Sequence, residues 1–401
     1  METRKLNELP DELVLKIFSF LPMFKETVAT HLLTKHWEEP WELVPDVMFD
    51  DDDESSESFE AFMRFVYGSL LSNDAQILES LHLKLSRNCS VSHINFWVKI
   101  AVDRSVRKLR VNLSGKTLEL PSCLSTCTTL KSLILREVSV EVVTLGFRFP
   151  SLKSLHLLSV EFSNDDDSVT SLLQSCPVLE YLVVHQTKDD VDVMFKAVPS
   201  GFSLPSLKSV HLLSVKFSDD ESLASLLQNC LVLEDLAVKK TKDDNVMIFN
   251  INVPTLKSLS VDNSKGKRDY VEEIHGFVIN APSLEKLNFK DTCSNFLTFE
   301  YMPEVIKANI QQHGSRYNDR MNPWDKPTDV PDCLSKNLEV LEWRQYEGTE
   351  KEREVAAYIL ANATCLKMAT FSTRCRNKYH RMLRKLKKMH RVSETCQLVF
   401  E

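Results

Sequence analysis

The stretch FPSLKSLHLLSVEFS, residues 149–163, decides the fold, because a near copy, LPSLKSVHLLSVKFS, occupies residues 204–218. The two agree at 12 of 15 positions. A second pair, SVTSLLQSCPVLEYLVVHQTKDD at 168–190 and SLASLLQNCLVLEDLAVKKTKDD at 222–244, agrees at 15 of 23 positions. The chain therefore contains a duplicated unit of about 55 residues, and internal periodicity of this kind is typical of repeat architectures.

Each copy holds two instances of a shorter pattern, LxxLxL, in which Val can replace Leu. The pattern recurs over most of the chain, mainly at steps of 22 to 28 residues, with a degenerate copy at Val305. Its instances begin at Leu78, Val106, Leu130, Leu152, Leu179, Leu207, Leu233, Leu256, Leu284 and Leu338. This period is that of leucine-rich repeats.

The pattern predicts a short strand whose alternating Leu residues point to one side, with the Leu three residues earlier closing the turn into it. One unit cannot bury its apolar face alone, so the units are expected to stack into a curved solenoid. Its parallel sheet would line the concave side, and helices or coil the convex side. The predicted buried residues include Leu155, Leu157, Leu182, Leu212 and Leu236.

The segments SVTSLLQSC and SLASLLQNC are expected to form return helices, with Ser168 and Ser222 as their N-cap residues. Cys176 and Cys230 would then lie where each helix turns back into a strand. We interpret them as buried small side chains, and a reactive thiol is the alternative.

Composition limits the function. At 401 residues, with 43% hydrophobic and 26% charged residues, the chain is expected to be a multidomain or repeat protein. Its net charge of -8 disfavours nucleic acid or an anionic membrane as a partner. It has neither a run of 18 apolar residues nor a signal-peptide pattern, so we expect an intracellular protein.

No catalytic or cofactor motif is present in the sequence. The chain has only 8 glycines and no Gly-rich phosphate loop, GxSxG or HExxH. Its ten cysteines show no zinc spacing, so neither a metal site nor a disulfide framework is expected. We therefore expect no enzyme activity, no metal and no cofactor.

The segment LPDELVLKIFSFLP, residues 9–22, predicts a short helix that begins at Pro10 and ends before Pro22. Its apolar side chains cover an arc of about 220°, at 100° per residue, whereas a surface helix needs a stripe of about 100°. A module of about 45 residues is too small to cover both sides. One face is expected to pack internally and the other to dock the helices of a partner.

This segment and its continuation, TVATHLLTKHWEEPWELVPDVMFDDD, resemble an F-box. Together with the repeats and the C-terminal EREVAAYILANATCLKMATF, the chain resembles the plant F-box/FBD/leucine-rich-repeat family over nearly its whole length. The resemblance implies the substrate receptor of a cullin-based ubiquitin ligase. The F-box would dock a Skp-type adaptor, and the repeats would bind the protein to be ubiquitinated. The implied protein is monomeric outside the ligase complex and is located in the nucleus, the cytoplasm or both.

Carried over by resemblance, the adaptor-binding residues are Leu9, Pro10, Ile17, Leu21, Pro22, Val28, Leu33 and Trp37. Where the family usually reads SKRWRSLW, this chain reads TKHWEEPW, which places Pro40 in the region of the third F-box helix. Proline inside a helix costs about 3 kcal/mol. The alternative function is therefore a repeat-based interaction scaffold whose diverged F-box does not engage the ligase.

The predicted architecture is α/β. It comprises an all-α F-box at 1–48, an acidic linker and capping helix at 49–77, leucine-rich repeats at 78–315, and an α+β FBD domain at 316–401. A basic stretch, residues 374–391, predicts either a terminal helix packed on the last repeat or a helix that binds nucleic acid, a membrane surface or a calmodulin-type partner.

Target binding is predicted on the strand positions that alternate with the buried leucines. The first four predicted strands carry four cations and no acid at these positions. The candidate target-binding residues are Lys84, Lys108, Arg110 and Arg136, with His156. They favour an acidic or phosphorylated segment of the target, and the alternative is that they only keep a sheet face soluble.

Overall fold

The computed structural model describes residues 9–18, 20–21, 24–30, 40–51, 59–86, 89–140, 147–162, 168–187, 194–195, 202–242, 244–265, 274–312, 329–373 and 379–401. The chain forms two compact units, Met1–Val193 and Met194–Glu401.

The helices lie mostly between successive strands of the repeats. They are α1 (Asp11–Phe18), α2 (Phe24–Ala29), α3 (Phe59–Ser72), α4 (Val91–Asp103), α5 (Ser168–Gln174), α6 (Asp220–Gln228), α7 (Glu350–Asn362) and α8 (Tyr379–Lys387). Single turns of other helix types occupy Pro40–Leu43, Ser122–Thr126 and Cys333–Asn337. Among the described residues, no helix is long and apolar enough to span a bilayer.

In the first unit, six strands form one parallel ladder in the order β1-β2-β3-β4-β5-β7. They are β1 (Asp46–Asp50), β2 (Ser80–Lys84), β3 (Lys108–Leu118), β4 (Ser132–Val140), β5 (Ser154–Leu158) and β7 (Tyr181–His185), and the short β6 (Glu161–Phe162) pairs with β4. Leu133 is in register with Leu155, and Leu155 with Leu182. These three leucines are fully buried, so the predicted leucine core is confirmed here.

The second unit repeats this arrangement. Its main ladder has the order β9-β11-β13-β15-β17-β18-β19-β20, again with parallel neighbours. These strands are β9 (Ser209–Leu213), β11 (Asp235–Lys239), β13 (Ser258–Asn263), β15 (Lys286–Asp291), β17 (Lys307–Gln312), β18 (Val340–Arg344), β19 (Met368–Phe371) and β20 (Gln397–Phe400). Leu212 and Leu236 are fully buried, as predicted.

Two smaller sheets lie in the second unit. They are formed by β8 (Met194–Phe195) with β10 (Lys216–Phe217), and by β12 (Ile248–Asn252), β14 (Gly276–Asn280) and β16 (Phe296–Phe299). Buried rings link β10, the three-stranded sheet and the main ladder, with centroids 5.7 Å apart for Phe217–Phe249, 5.4 Å for Phe249–Phe277 and 5.4 Å for Phe277–Phe289. The predicted α/β class with parallel repeats is confirmed.

The repeat ladder extends beyond its predicted segment at both ends. β1 (Asp46–Asp50) lies across the boundary predicted between residues 48 and 49. It has the alternation of a repeat strand, because Val47 and Phe49 are buried while Asp46 and Asp50 point to the other face. In the segment predicted as FBD, β18, β19 and β20 continue the ladder of the second unit. Ala369 and Phe371 replace the usual leucines of the pattern in β19, so the LxxLxL pattern does not identify this strand.

The prediction that Ser222 caps a helix is wrong. The N-cap of α6 is Asp219, whose Oδ1 accepts from the backbone N–H of Glu221 (3.1 Å) and Ser222 (2.9 Å). An aspartate at this position starts the helix three residues earlier, because its carboxylate satisfies two free amides. Ser168 begins α5, but its side chain lies outside the described residues.

The basic C-terminal helix packs on its own unit. Met382 and Leu386 of α8 are buried, whereas Arg384 and Lys387 are exposed. The apolar stripe of α8 is therefore occupied internally, which favours the terminal-helix interpretation over a free recognition helix. The described α8 starts at residue 379, and residues 374–378 lie outside the described part.

Candidate protein-docking surfaces

Helix α1 begins directly after the predicted Pro10. The carbonyl of Pro10 accepts hydrogen bonds from the N–H groups of Leu13 (2.9 Å) and Val14 (3.1 Å), which fixes the first turn. One face of the helix is internal, since Val14 and Phe18 are buried. Because these two residues are four apart, they lie on one side of the helix. The part of the predicted apolar arc around Val14 and Phe18 is thus used within the chain.

The other apolar face of α1 is open. Leu13, Ile17 and Phe20 are 47%, 37% and 76% exposed. Leu13 and Ile17 are four residues apart and lie on one side of α1. Phe20 follows in the turn after the helix, where its N–H donates to the carbonyl of Ile17 at 3.0 Å, and we call these three residues the α1 stripe. Contiguous exposed apolar side chains of this size mark docking surfaces in soluble proteins.

Helix α2 anchors this helical segment to the first strand of the repeats. Phe24 is buried, and its ring centroid lies 5.8 Å from that of Phe49 in β1 and 6.4 Å from that of Phe65 in α3. Phe49 and Phe65 are themselves 5.8 Å apart in an edge-to-face arrangement. Edge-to-face pairs add about 0.5–1.5 kcal/mol beyond burial. The three rings therefore hold α2 against β1 and α3.

The predicted adaptor residues are only partly described. Pro10 and Ile17 are exposed, and Leu9, Leu21 and Val28 are half-buried. The remaining three, Pro22, Leu33 and Trp37, lie outside the described residues.

The contact set carried over by resemblance left out Leu13 and Phe20. Their spacing of four and three residues from Ile17 is the signal that could have included them. The Pro40 backbone begins the short turn Pro40–Leu43, so this proline stands at the start of a helical turn, where its missing N–H costs nothing.

The second surface is the side of the strand ladder opposite the leucine core, which we call the open face. In the first unit it carries two acids that the sequence-based count missed, because β1 was not predicted. Asp50 Oδ2 accepts from Lys84 Nζ at 2.9 Å, and Asp46 accepts from Ser80 at 2.5 Å. In β4, Arg136 pairs with Glu137 at 3.3 Å. Two of the four predicted cations are therefore neutralised.

The other two predicted cations remain available. Lys108 and Arg110 of β3 are exposed and form no ion pair with any described residue. Arg110 is in register with His82 of β2. Burial, and after it the positive charge of Arg110, lowers the pKa of His82 to about 4, so this imidazole is neutral at physiological pH. Of the four predicted cations, only Lys108 and Arg110 of β3 are therefore left without an ion pair among the described residues.

Farther along this face the character becomes apolar. His156 of β5 is half-buried with Nε2 3.0 Å from Ser154 Oγ, and its register neighbours are Ile134 and Val183. Tyr181 of β7 is 48% exposed. The predicted residue His156 therefore lies between two apolar register neighbours and next to a serine hydroxyl, apart from the cations of β3.

Comparison with known proteins places the chain in a family. The family model described as the LRR repeats of the FBD-associated F-box protein At5g56370 matches residues 94–195 and 190–308, and the FBD model matches residues 326–371. A putative FBD-associated F-box protein of Arabidopsis thaliana, At5g56560, is 48% identical and covers 99% of both chains. The Arabidopsis F-box/FBD/LRR-repeat protein At5g56570 is 37% identical over 99% of this chain and 92% of its own.

The chain belongs to the FBD-associated F-box protein family. Within it, the FBD match covers β18, α7 and β19. The rings of Trp343, Tyr346 and Phe371 pack there with centroids 5.3 to 6.2 Å apart. The FBD segment of this FBD-associated F-box protein is thus a further strand–helix–strand unit with its own aromatic core.

The one serine–histidine–aspartate group on the described strands does not have the geometry of a nucleophile in this F-box protein. Asp235 Oδ2 lies 2.7 Å from His211 Nε2 and accepts from Ser209 Oγ at 2.9 Å. A catalytic histidine needs its two ring nitrogens to face the serine and the acid separately. Among the described residues, no three His, Cys, Asp or Glu side chains could hold a metal ion.

Proposed function

We propose that this protein is the substrate-recognition subunit of a Skp-cullin-F-box ubiquitin ligase. The α1 stripe docks a Skp-type adaptor, and through it a cullin, while the open face of the repeats binds the protein to be ubiquitinated. The protein contributes proximity and orientation rather than chemistry, because the conjugating enzyme comes with the cullin assembly. The family membership and the two docking surfaces support this proposal.

The observation that carries the proposal is the division of α1 into two apolar faces, one buried and one open. Full burial of the three stripe residues would contribute about 1.5–3 kcal/mol each. Association itself costs about 4–15 kcal/mol, so the stripe needs additional contacts. We assign these contacts to the rest of the predicted adaptor set in the F-box segment, residues 1–48. In the proposed division of the chain, this segment is followed by the linker and capping helix at 49–77, the repeats at 78–315 and the FBD domain at 316–401.

We also propose that the protein acts in the nucleus, the cytoplasm or both, and is monomeric apart from the ligase complex. The described cysteines support a reducing compartment, since all of them are free thiols. Burial raises the pKa of Cys176 and of Cys230 to about 12, which makes both thiols unreactive structural residues.

Adaptor binding tests the proposal directly. The double variant Leu13→Asp and Ile17→Asp places two carboxylates on the α1 stripe, where burial against a partner leaves them unpaired. Affinity for a purified Skp-type adaptor, measured by calorimetry on the full chain, is expected to fall at least about 100-fold. The thermal unfolding midpoint should stay close to that of the parent, since both side chains are exposed.

Leu231→Asp with Val232→Asp is the matched control. These two residues are also exposed apolar side chains, 66% and 40%, but lie in the second unit. The control is expected to bind the adaptor like the parent. If the parent binds and the α1 double variant binds equally well, the docking assignment is wrong.

A second function stays open because of one observation. The sequence TKHWEEPW departs from the family pattern SKRWRSLW, with His36 and Glu38 at two positions where that pattern has arginine. A weakened adaptor site would leave a repeat-based interaction scaffold. If the parent chain forms no complex with Skp-type adaptors at micromolar concentration, this second function replaces the first.

A further inference from the structure

The open face of the first unit changes character over four adjacent strands. On β3 it carries the cations Lys108 and Arg110, which form no ion pair with any described residue. On β4 and β5 it carries two hydroxyls, Ser132 and Ser154, which are in register with each other and with Lys108. On β7 it presents the exposed ring of Tyr181, in register with Ser154. One row across the sheet thus runs from a cation, over two short polar side chains, to an aromatic ring.

The neighbouring row repeats the change of character. Arg110 is in register with Ile134, Ile134 with His156, and His156 with Val183. The apolar part of the face at this end is therefore β7 itself, with Tyr181 and Val183, beside Ser154 and His156 of β5. Aromatic side chains that are half exposed on a rigid sheet are typical binding anchors, and the unpaired cations supply the charge that an anionic partner would meet.

The strand spacing fixes the length of a matching ligand. Parallel neighbours lie about 4.8 Å apart, so three steps from β3 to β7 span about 14 Å. An extended chain advances about 3.3–3.4 Å per residue. A peptide that crosses the strands therefore places residues four positions apart over Lys108 and over Tyr181.

We propose that this face binds an extended segment of the target that carries an anionic side chain and a large apolar side chain four residues apart. The anion, a carboxylate or a phosphate, pairs with Lys108 and Arg110, and the apolar side chain packs on Tyr181 and Val183. The inference rests on the proposed function and specifies the class of target that the repeats select. The proposed anion site is smaller than the set of four cations predicted from the sequence, because Lys84 and Arg136 are already paired within the chain.

The experiment uses the full chain and fluorescent nine-residue peptides. Each peptide has one Glu or phosphoserine and one Leu or Tyr, in either order, separated by two to six positions with Ser, Asn and Gln elsewhere. Binding measured by fluorescence anisotropy is expected to peak at a separation of four. Removal of either the anion or the apolar residue should weaken it about tenfold. Tighter binding of phosphoserine than of Glu identifies phosphorylated targets, and equal binding identifies acidic ones.

Two variants and a control localise the binding. Lys108→Ser with Arg110→Ser should weaken the anionic peptide about tenfold and leave a peptide without the anion unchanged. Tyr181→Ala should show the reverse selectivity, with loss confined to peptides that carry the apolar residue. Lys286→Ser with Lys307→Ser is the matched control, because these two exposed lysines are also register neighbours on an open face, in the second unit. This control should bind within about twofold of the parent.

Three results would overturn the inference: no binding of any peptide at millimolar concentration, binding without preference for separation, or equal loss in the lysine control. None of these measurements involves an adaptor. Failure here, together with intact adaptor binding, would leave the proposed ligase function standing and move target recognition to another surface.

Discussion

The two copies of the duplicated unit differ more in the side chains that they expose than in those that they bury, where Leu155 of the first copy is the equally buried Val210 of the second. β5 (SLHLL) and β9 (SVHLL) are nearly identical, and the serine that follows each strand has the same left-handed backbone, with φ of 52° at Ser159 and 57° at Ser214. Such a conformation is uncommon for serine. The neighbouring strands of the ladder, β7 and β11, diverge: YLVVH in the first copy becomes DLAVK in the second.

This divergence falls on the open face alone. Leu182 and Leu236 are equivalent and both are fully buried, whereas the equivalent open positions hold Tyr181 in one copy and Asp235 in the other. The histidines conserved between the copies therefore have different surroundings, since His156 neighbours Val183 and His211 binds Asp235. Duplication copied the core, and substitution at alternate positions gave each copy its own surface.

The largest expected effect tests whether the two cores are equivalent. Leu182→Ala and Leu236→Ala should each destabilise their unit by about 2–5 kcal/mol, because each removes a fully buried side chain from a packed layer. Chemical denaturation of both variants is the measurement. If one substitution costs less than about 1 kcal/mol while the other costs several, the copies do not share one packing scheme.

The next effect concerns the helix of the second copy. Asp219→Ala removes the acceptor for two backbone amides of α6 and should cost about 0.5–2 kcal/mol. Asp219→Asn keeps an oxygen acceptor and should retain most of the stability, which makes it the matched variant. Equal losses for Ala and Asn would attribute the effect to charge at the helix N-terminus rather than to the cap hydrogen bonds.

The sequence predicted the core better than the surfaces, for physical reasons. The LxxLxL pattern marks buried positions directly, so the five leucines predicted from it to be buried are buried. It could not report β1 or β19, because Val47, Phe49 and Ala369 satisfy the same geometry with other side chains. Missing β1 also hid Asp50, and with it the neutralisation of Lys84.

The capping error has a similar origin. Ser222 is a good N-cap residue in isolation, but a carboxylate three residues earlier provides a better acceptor, and the serine hydroxyl then donates to Asp219 at 2.7 Å. Sequence reasoning assigned each residue its usual role one at a time. The competition between two capable residues was settled by which arrangement satisfies more backbone amides.

The smallest effect is a pH dependence that belongs to the second copy. The hydrogen bond from His211 to Asp235 raises the pKa of the imidazole above its usual value, although burial lowers it. A group whose pKa is raised on folding binds its proton more tightly in the folded state, so it adds stability below its unfolded pKa of about 6.5. That stability is lost as the pH rises through the folded-state pKa. The pair is about two-fifths exposed, with side-chain accessibilities of 37% and 40%, so its contribution should stay below about 1 kcal/mol.

Asp235→Asn isolates this contribution. The variant should lose stability relative to the parent at pH 6, and the difference between the two should shrink as the pH rises through the folded-state pKa of His211. The pKa of His211, followed by NMR, should fall in the variant because the carboxylate that raises it is gone. A His211 pKa unchanged by Asp235→Asn would mean that the carboxylate does not hold the imidazole in solution. The contrast between the two copies at this position would then rest on shape alone.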